Sequence, residues 1–154
     1  NSDGRRIKRH NLIKASSIRF WETAELNNLK KIHLISNYID SWTVEINEYN
    51  SNNKIDKSIP INGRNLTNLG IFRKYITEYL YNYPGLNKDM MMLCRQLQST
   101  SHGVPLEVYA FSHDKRFENY EYIMSDIFDH IIASVPYFDL EIFETITENN
   151  LPVA

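Results

Sequence analysis

Residues 95–112 read RQLQSTSHGVPLEVYAFS and predict two β-strands joined by a tight turn, over residues 90–99 and 106–112. Two sets of side chains alternate along the second strand, with the period of two that is typical of β-structure: Leu106, Val108, Ala110 and Glu107, Tyr109, Phe111. The pair His102-Gly103 marks the reversal, and Pro105 is tolerated at a strand start because it needs no ladder donor there. We therefore expect this hairpin to be the centre of a sheet.

A long amphipathic helix is predicted upstream of the hairpin, over residues 24–49. Its apolar side chains are spaced three and four apart, which makes a heptad seam: Ile32, Ile35, Ile39, Trp42, Ile46 and Tyr49. The seam extends over about two and a half heptads, fewer than a coiled coil requires. It favours one helix packed on its own domain, with a seam between subunits or a helical hairpin as the alternatives.

The remaining elements follow from periodicity, caps and breakers. They are strands over residues 4–14 and 17–21, a polar loop over 50–65, helices over 69–83 and 116–135 capped by Asn68 and Asp114, and a last strand over 140–147. The order is βαββαβ, so we predict an α+β fold: a ferredoxin-like two-layer sandwich with a helical insert in its first half. Residues 1–21 hold the first strands, 22–147 the α/β domain with its insert at about 24–65, and 148–154 a tail.

The composition is typical of a soluble globular domain, but the charges are segregated. The 154 residues carry a net charge of −2, which gives no overall attraction to nucleic acid or anionic lipid. Residues 5–31 contain eight Lys or Arg and two Glu, whereas residues 117–148 contain eight carboxylates and no Lys or Arg. Such patches can complement each other within a subunit or between copies. A single cysteine excludes an internal disulfide, and we expect neither a signal peptide nor a bilayer-spanning run.

The sequence contains no nucleophile elbow, phosphate-binding loop, paired-cysteine motif or HExxH helix, so we expect no enzyme, no cofactor and no metal site. Asp126 and His130, four apart on a helix, suit a shared metal ion, but without a third ligand a solvated pair is favoured. Cys94 could pair with His102 or His113 as thiolate and imidazole. Its apolar, methionine-rich surroundings favour a buried, inert thiol instead.

The first predicted strand is strongly basic, with Arg5, Arg6, Lys8, Arg9 and His10 nearly consecutive. Phosphate contact is one interpretation of such a strand. However, the strand lacks the interleaved aromatic residues on which a single-strand binder stacks bases. We therefore predict no nucleic-acid partner and interpret the strand as a solvated or inter-subunit basic face.

Aromatic side chains indicate a surface that is covered by something outside the predicted sandwich. In such a sandwich helices cover one face of the sheet, and Tyr109 and Phe111 lie on the face opposite Val108 and Ala110. Large aromatic residues there predict a covering partner, so Tyr109 and Phe111, together with Trp42, are our candidate interface residues. A helical stripe of three tyrosines fits either the edge of the core or an oligomer interface: Tyr75, Tyr79 and Tyr83.

Five segments, in this order, resemble the cytoplasmic C-terminal region of MscS-like mechanosensitive ion channels. They are GRRIKR at 4–9, SIRF at 17–20, RNLTNLG at 64–70, RQLQSTSHGVPLEVYAF at 95–111 and SDIFDHI at 125–131. The resemblance covers about residues 4–147. It is greater to the larger, miniconductance-type members, which carry an insert between the first strand and the hairpin.

The resemblance implies a homo-heptameric protein of the bacterial inner membrane that opens under tension and releases solutes and ions on hypoosmotic shock. This chain would be its soluble cytoplasmic part, with residues 1–21 as the end of a middle β region and the membrane helices upstream. Its role would be assembly, cage formation and modulation of gating, with other copies of the same subunit as partners. The family is not enzymatic, so no catalytic residue is carried over. The alternative is a ligand-binding regulatory module of ferredoxin-like fold.

Overall fold

The computed structural model describes residues 4–144, and within them three strands form one antiparallel sheet. The strands are β1 (Arg5–Ile13), β2 (Leu93–Gln96) and β3 (Val104–Ser112), in the order β1-β3-β2. The predicted hairpin is confirmed, although its first strand is shorter than residues 90–99. Gly103 makes the reversal at a φ of +141°, and a Cβ there would lie 2.5 Å from the backbone oxygen of Ile13. Only glycine fits this turn without strain.

Four α-helices accompany the sheet in the described residues: α1 (Thr23–Leu29), α2 (Ser36–Asn52), α3 (Asn68–Tyr81) and α4 (Phe117–Ser134). The prediction of one helix over residues 24–49 is wrong, because α1 ends at Leu29 and a 3-10 turn, His33–Ile35, precedes α2. The break lets Leu29 and Ile35 enter the same apolar cluster. In one straight helix the two side chains would point about 120° apart around the axis and would not face the cluster together.

The predicted strand at 17–21 and the predicted cap of α3 are also wrong, for a shared reason. The buried Asn68 side chain holds the 17–21 segment: its Oδ1 accepts from the Arg19 amide at 2.9 Å, and its Nδ2 donates to the Ser17 carbonyl at 2.9 Å. Ser17 ends a 3-10 turn, Ala15–Ser17, and the predicted strand is reduced to one antiparallel bridge between Phe20 and Thr67. Thr67 caps α3 instead, because its hydroxyl accepts from the Gly70 amide at 3.0 Å.

The predicted last strand over residues 140–147 is reduced to one bridge in the part that is described. Ile142 pairs with Ile13 in antiparallel fashion, and the Phe143 amide donates to the Leu12 carbonyl at 2.9 Å. The segment thus lies along the free edge of β1, while residues 145–147 fall outside the described residues. At the start of α4, Arg116 occupies the cap position that was predicted for Asp114, whose carboxylate accepts from the Arg116 amide at 3.0 Å.

A single apolar core joins one face of the sheet to the helices. Its fully buried side chains come from every layer: Phe72, Phe138, Ile7, Ile13, Ile35, Ile39, Ile71, Ile76, Leu80, Leu86, Ile127 and Val108. Phe117 matches the apolar spacing of α4 but is 60% exposed. The fold is therefore α+β, with mixed helices and an antiparallel sheet. None of the helices in residues 4–144 is long and apolar enough to cross a membrane.

Candidate functional site

The sheet has a second face, opposite the core, which we call the open face. The strand register assigns to it Arg6, Lys8, His10 and Leu12 of β1, Leu93 and Arg95 of β2, and Pro105, Glu107, Tyr109 and Phe111 of β3. Its basic side chains are exposed, and its two aromatic side chains are half-buried. The alternate basic residues of β1, which are Arg6, Lys8 and His10, therefore point to the open face.

Tyr109 and Phe111 form an aromatic ridge on the open face, as the alternation along β3 predicts. Their rings meet edge to face, with centroids 5.6 Å apart and an interplanar angle of 84°. Tyr109 lies between Lys8 of β1 and Leu93 of β2, and Phe111 lies opposite Arg6. Two aromatic rings flanked by cations form an amphipathic surface of the kind that protein interfaces favour.

A buried carboxylate lies on the same face, and sequence reasoning gave no sign of it. Glu107 is 4% exposed and accepts a hydrogen bond from Arg95 Nε at 2.9 Å. Its cross-strand neighbour on β1 is His10. Because β3 is the central strand, both flanking strands shield this position. The carboxylate of this ion pair is therefore buried, whereas the Arg95 side chain is 53% exposed.

The exposed side of α4 is acidic, and we call it the acidic face. It carries Glu118, Glu121, Asp126 and Asp129, with no Lys or Arg in the helix. The other side of α4 is buried in the core through Ile127, Phe128 and Ile131. The acidic face and the basic open face therefore lie on opposite sides of the two-layer structure.

Trp42, the third candidate interface residue, lies away from this surface on α2. Its ring meets Tyr38 edge-on with a centroid separation of 5.9 Å, and the Arg64 guanidinium lies 5.2 Å from its centre. The structure thus does not bring Trp42 together with Tyr109 and Phe111. Three seam residues of the predicted long helix, Ile35, Ile39 and Ile46, are buried within the same chain. This favours the interpretation of the seam as packing on its own domain.

Asp126 and His130 do not form the solvated pair that the sequence favours, because tyrosines of α3 engage both. His130 Nε2 is hydrogen-bonded to Tyr75 Oη at 2.7 Å, and its ring stacks on Tyr79 with centroids 4.0 Å apart. The Tyr83 hydroxyl donates to Asp126 at 2.8 Å. The tyrosine stripe therefore lies at the edge of the core. Within residues 4–144, no three His, Cys, Asp or Glu side chains are grouped so as to hold a metal ion.

The electrostatics of this cluster follow from burial. Burial lowers the pKa of His130 below its ordinary 6.5, and the charge of Asp126 opposes that shift. Burial also raises the pKa of Tyr79 to about 12, with a further contribution from the Asp126 charge. Near pH 7 these shifts favour the neutral form of both the His130 imidazole and the Tyr79 hydroxyl.

Cys94 is the inert thiol that the sequence predicts. It is buried on the core side of β2, opposite Val108, and burial raises its pKa to about 12. Its thiolate is therefore disfavoured near neutral pH. The ring of His102, one of its suggested partners, instead contacts Phe143, with centroids 5.2 Å apart.

One further feature was missed from the sequence: a cleft in the helical insert between α1, α2 and the loop that follows α2. It has a volume of about 410 Å³ and contains both basic and aromatic side chains. The long sequence separation of its walls explains why no local pattern indicated it. A comparison with protein families finds no family model that matches this chain.

Proposed function

We propose that this chain is the cytoplasmic assembly domain of an MscS-like mechanosensitive channel subunit, built on a ferredoxin-like core. The five sequence segments that resemble this family support the assignment. The sheet order β1-β3-β2, with every pair antiparallel, is compatible with the ferredoxin-like arrangement. The Ile142 bridge lies on the free edge of β1, where the fourth strand of that arrangement would pair.

The observation that carries the proposal is the pair of unlike surfaces on opposite sides of the molecule. The open face presents Tyr109 and Phe111 among exposed bases, and the acidic face presents four exposed carboxylates. Two different, complementary patches favour a head-to-tail contact between copies, and such contacts produce closed rings when the rotation closes. A ring of identical subunits is what the family resemblance requires.

In this proposal the domain contributes contacts and not chemistry. Copies of the chain form a cage beneath the bacterial inner membrane, on its cytoplasmic side, and upstream helices of the same subunit form the tension-gated pore. The cage holds the subunits in register and adjusts gating and solute access. The other copies are its partners, and no catalytic residue, cofactor or nucleic acid is involved.

The proposal can be tested in the full-length subunit, in a bacterial strain that lacks its own tension-gated channels. The native gene should restore survival on hypoosmotic shock. The double variant Tyr109→Ser, Phe111→Ser should lose most of that rescue, because the aromatic ridge no longer holds neighbouring copies together. Tyr81→Ser is the matched control, since Tyr81 is an aromatic side chain 46% exposed on α3, outside both the open face and the acidic face.

Two results would contradict the proposal. One is a reading frame upstream of Asn1 that encodes no apolar stretches of about 20 residues, the length a membrane helix needs. The other is full rescue by the double variant with channels of normal subunit number.

A ligand-binding regulatory module is the second candidate function. The space between sheet and helices is filled by core side chains such as Ile7, Val108 and Ile127. The observation that favours this candidate is the cleft in the helical insert, away from the sheet.

A further inference from the structure

The cleft of the helical insert, which we call the insert cleft, is large enough for a small molecule. Its volume of about 410 Å³ lies within the range of small-molecule sites, about 300–1,000 Å³. Apolar and polar groups share its walls: Trp21, Glu22, Thr23, Leu26, Thr43, Ile46, Asn47, Asn50, Lys57, Ser58, Pro60, Arg64, Asn65 and Leu66. Apolar walls with a few polar groups are typical of ligand sites.

The loop that closes the insert cleft is held in place by side-chain hydrogen bonds. Asn50 at the end of α2 bonds both backbone groups of Arg64: its Oδ1 accepts from the amide at 2.9 Å, and its Nδ2 donates to the carbonyl at 3.2 Å. Gly63 has a φ of +70°, which permits this close approach to Asn50. The Lys57 ammonium donates to the carbonyls of Pro60 at 2.9 Å and Asn62 at 2.5 Å. The wall is therefore preformed.

The lining of the insert cleft has more positively than negatively charged side chains. The Arg64 guanidinium is half-buried over the rings of Trp42 and Tyr49, and no carboxylate within residues 4–144 pairs with it. The oxygens around Lys57 are all neutral. Glu22, the one carboxylate in the lining, is used as the cap of α1 and accepts from the Glu25 amide. The lining thus contains two cationic side chains, Lys57 and Arg64, and one carboxylate, Glu22.

An unused donor lies in the same lining. The indole N–H of Trp21 is the one buried side-chain nitrogen or oxygen in the described part of the chain with no hydrogen-bond partner. Leaving such a group unsatisfied costs about 1–3 kcal/mol. Because the N–H itself is buried, it is not open to the cleft, but it reports on the packing of a residue that lines the cleft.

We propose that the insert cleft binds a small organic anion. Its carboxylate or phosphate group pairs with the Arg64 guanidinium next to Lys57, since a guanidinium presents a fork of donors that matches either group. The apolar part of the ligand packs on Leu26, Ile46 and Leu66. The inference stands on the geometry of the insert and is independent of the channel proposal.

The chain offers a direct spectroscopic test, because it contains only two tryptophans and so gives two indole N–H signals in a nitrogen–proton correlation spectrum. The probes are glutamate for a carboxylate, adenosine monophosphate for a phosphate with an apolar body, and inorganic phosphate for the anion alone. We expect a saturable shift of the Trp21 signal, assigned with Trp21→Phe, for at least one organic probe. Inorganic phosphate should bind more weakly, because it lacks the part that packs on the apolar wall.

Substitutions of Arg64 test whether this residue binds the anion that shifts the Trp21 signal. Arg64→Gln should weaken binding at least about tenfold, the loss expected for one charge-assisted hydrogen bond. Arg64→Lys, which keeps the charge but not the fork, should lose less. Lys88→Gln is the control, because Lys88 is exposed and outside the lining. Well-dispersed amide signals establish that each variant is folded. The proposal is overturned if no organic probe gives a saturable shift, or if Arg64→Gln binds as tightly as the native chain.

Discussion

The two faces of the sheet use the same strands for different purposes. On β3, Val108 and Ala110 are at most 1% exposed and point into the core. Tyr109 and Phe111, their immediate neighbours in the chain, are half-buried on the open face beside exposed bases. Because successive side chains of a strand point to opposite faces, one stretch of sequence can encode both a core and an outer surface.

Folding stability and association should therefore depend on different faces of the sheet. Side chains on the core face are in contact with the helices, so their removal should cost folding free energy. Side chains on the open face have few partners within the chain, so their removal should change what the chain binds. Substitutions on the two faces of the sheet test this separation.

The largest loss should come from a matched pair of phenylalanine substitutions. Phe72 is fully buried and its ring lies 4.9 Å from that of Phe138, so Phe72→Ala should cost about 3–5 kcal/mol of unfolding free energy. Phe111→Ala, on the open face, should cost less than about 1 kcal/mol. Urea denaturation measures both. Equal losses would mean that the open face is part of the folding core.

The buried pair on the open face should give the next largest effect. Arg95→Ala leaves the Glu107 carboxylate buried without its partner, so we expect a loss of about 1–3 kcal/mol. The Arg95 side chain is 53% exposed, which places the loss below that of a fully buried pair. Replacing both residues, as Arg95→Met with Glu107→Leu, should recover most of the stability. A loss that persists in the double variant would show that packing, and not charge, is responsible.

The cap of α3 should account for a smaller loss in the helical layer. Thr67→Ala removes the acceptor of the Gly70 amide and should cost about 1 kcal/mol in urea denaturation. Thr77→Ala is the control, because the Thr77 hydroxyl only donates to the Arg73 carbonyl one turn earlier in the same helix. If both substitutions had the same effect, the cap would have no special role.

The titration of His130 should have the smallest effect on the free energy of unfolding. Burial lowers its pKa in the folded chain, so the unfolded chain binds the proton first as the pH falls. Stability is therefore fully present above about 6.5, the ordinary pKa, and declines as the pH falls below it. His130→Gln should flatten this decline, and an unchanged decline in this variant would contradict its assignment to His130. Denaturation midpoints at a series of pH values decide between these outcomes.

The sequence could predict the features that depend on residues close together in the chain. The alternation in residues 104–112 gave β3 and its two faces, and the steps of three and four gave α3 and α4, because these periods depend on the backbone alone. The break between α1 and α2 could not be predicted, since it is decided by where Leu29 and Ile35 find a common core.

The parts that were missed depend on contacts between distant residues. Asn68 bonds groups 49, 51 and 71 positions away, which only the folded chain brings together. The contact between His130 and Tyr75 spans 55 positions, and the insert cleft has walls from three separate segments. The interface role of Tyr109 and Phe111 remains a prediction, because the alternation places these side chains without naming what covers them.

Sedimentation equilibrium of the chain and its double variant Tyr109→Ser, Phe111→Ser measures whether the open face drives association without supporting the fold. The native chain should associate with increasing concentration, and added salt should weaken this association because exposed bases and carboxylates meet across the contact. The double variant should remain a monomer with nearly native unfolding free energy. If the double variant associated as strongly as the native chain, or if it lost its stability along with association, the separation of the two faces would be contradicted.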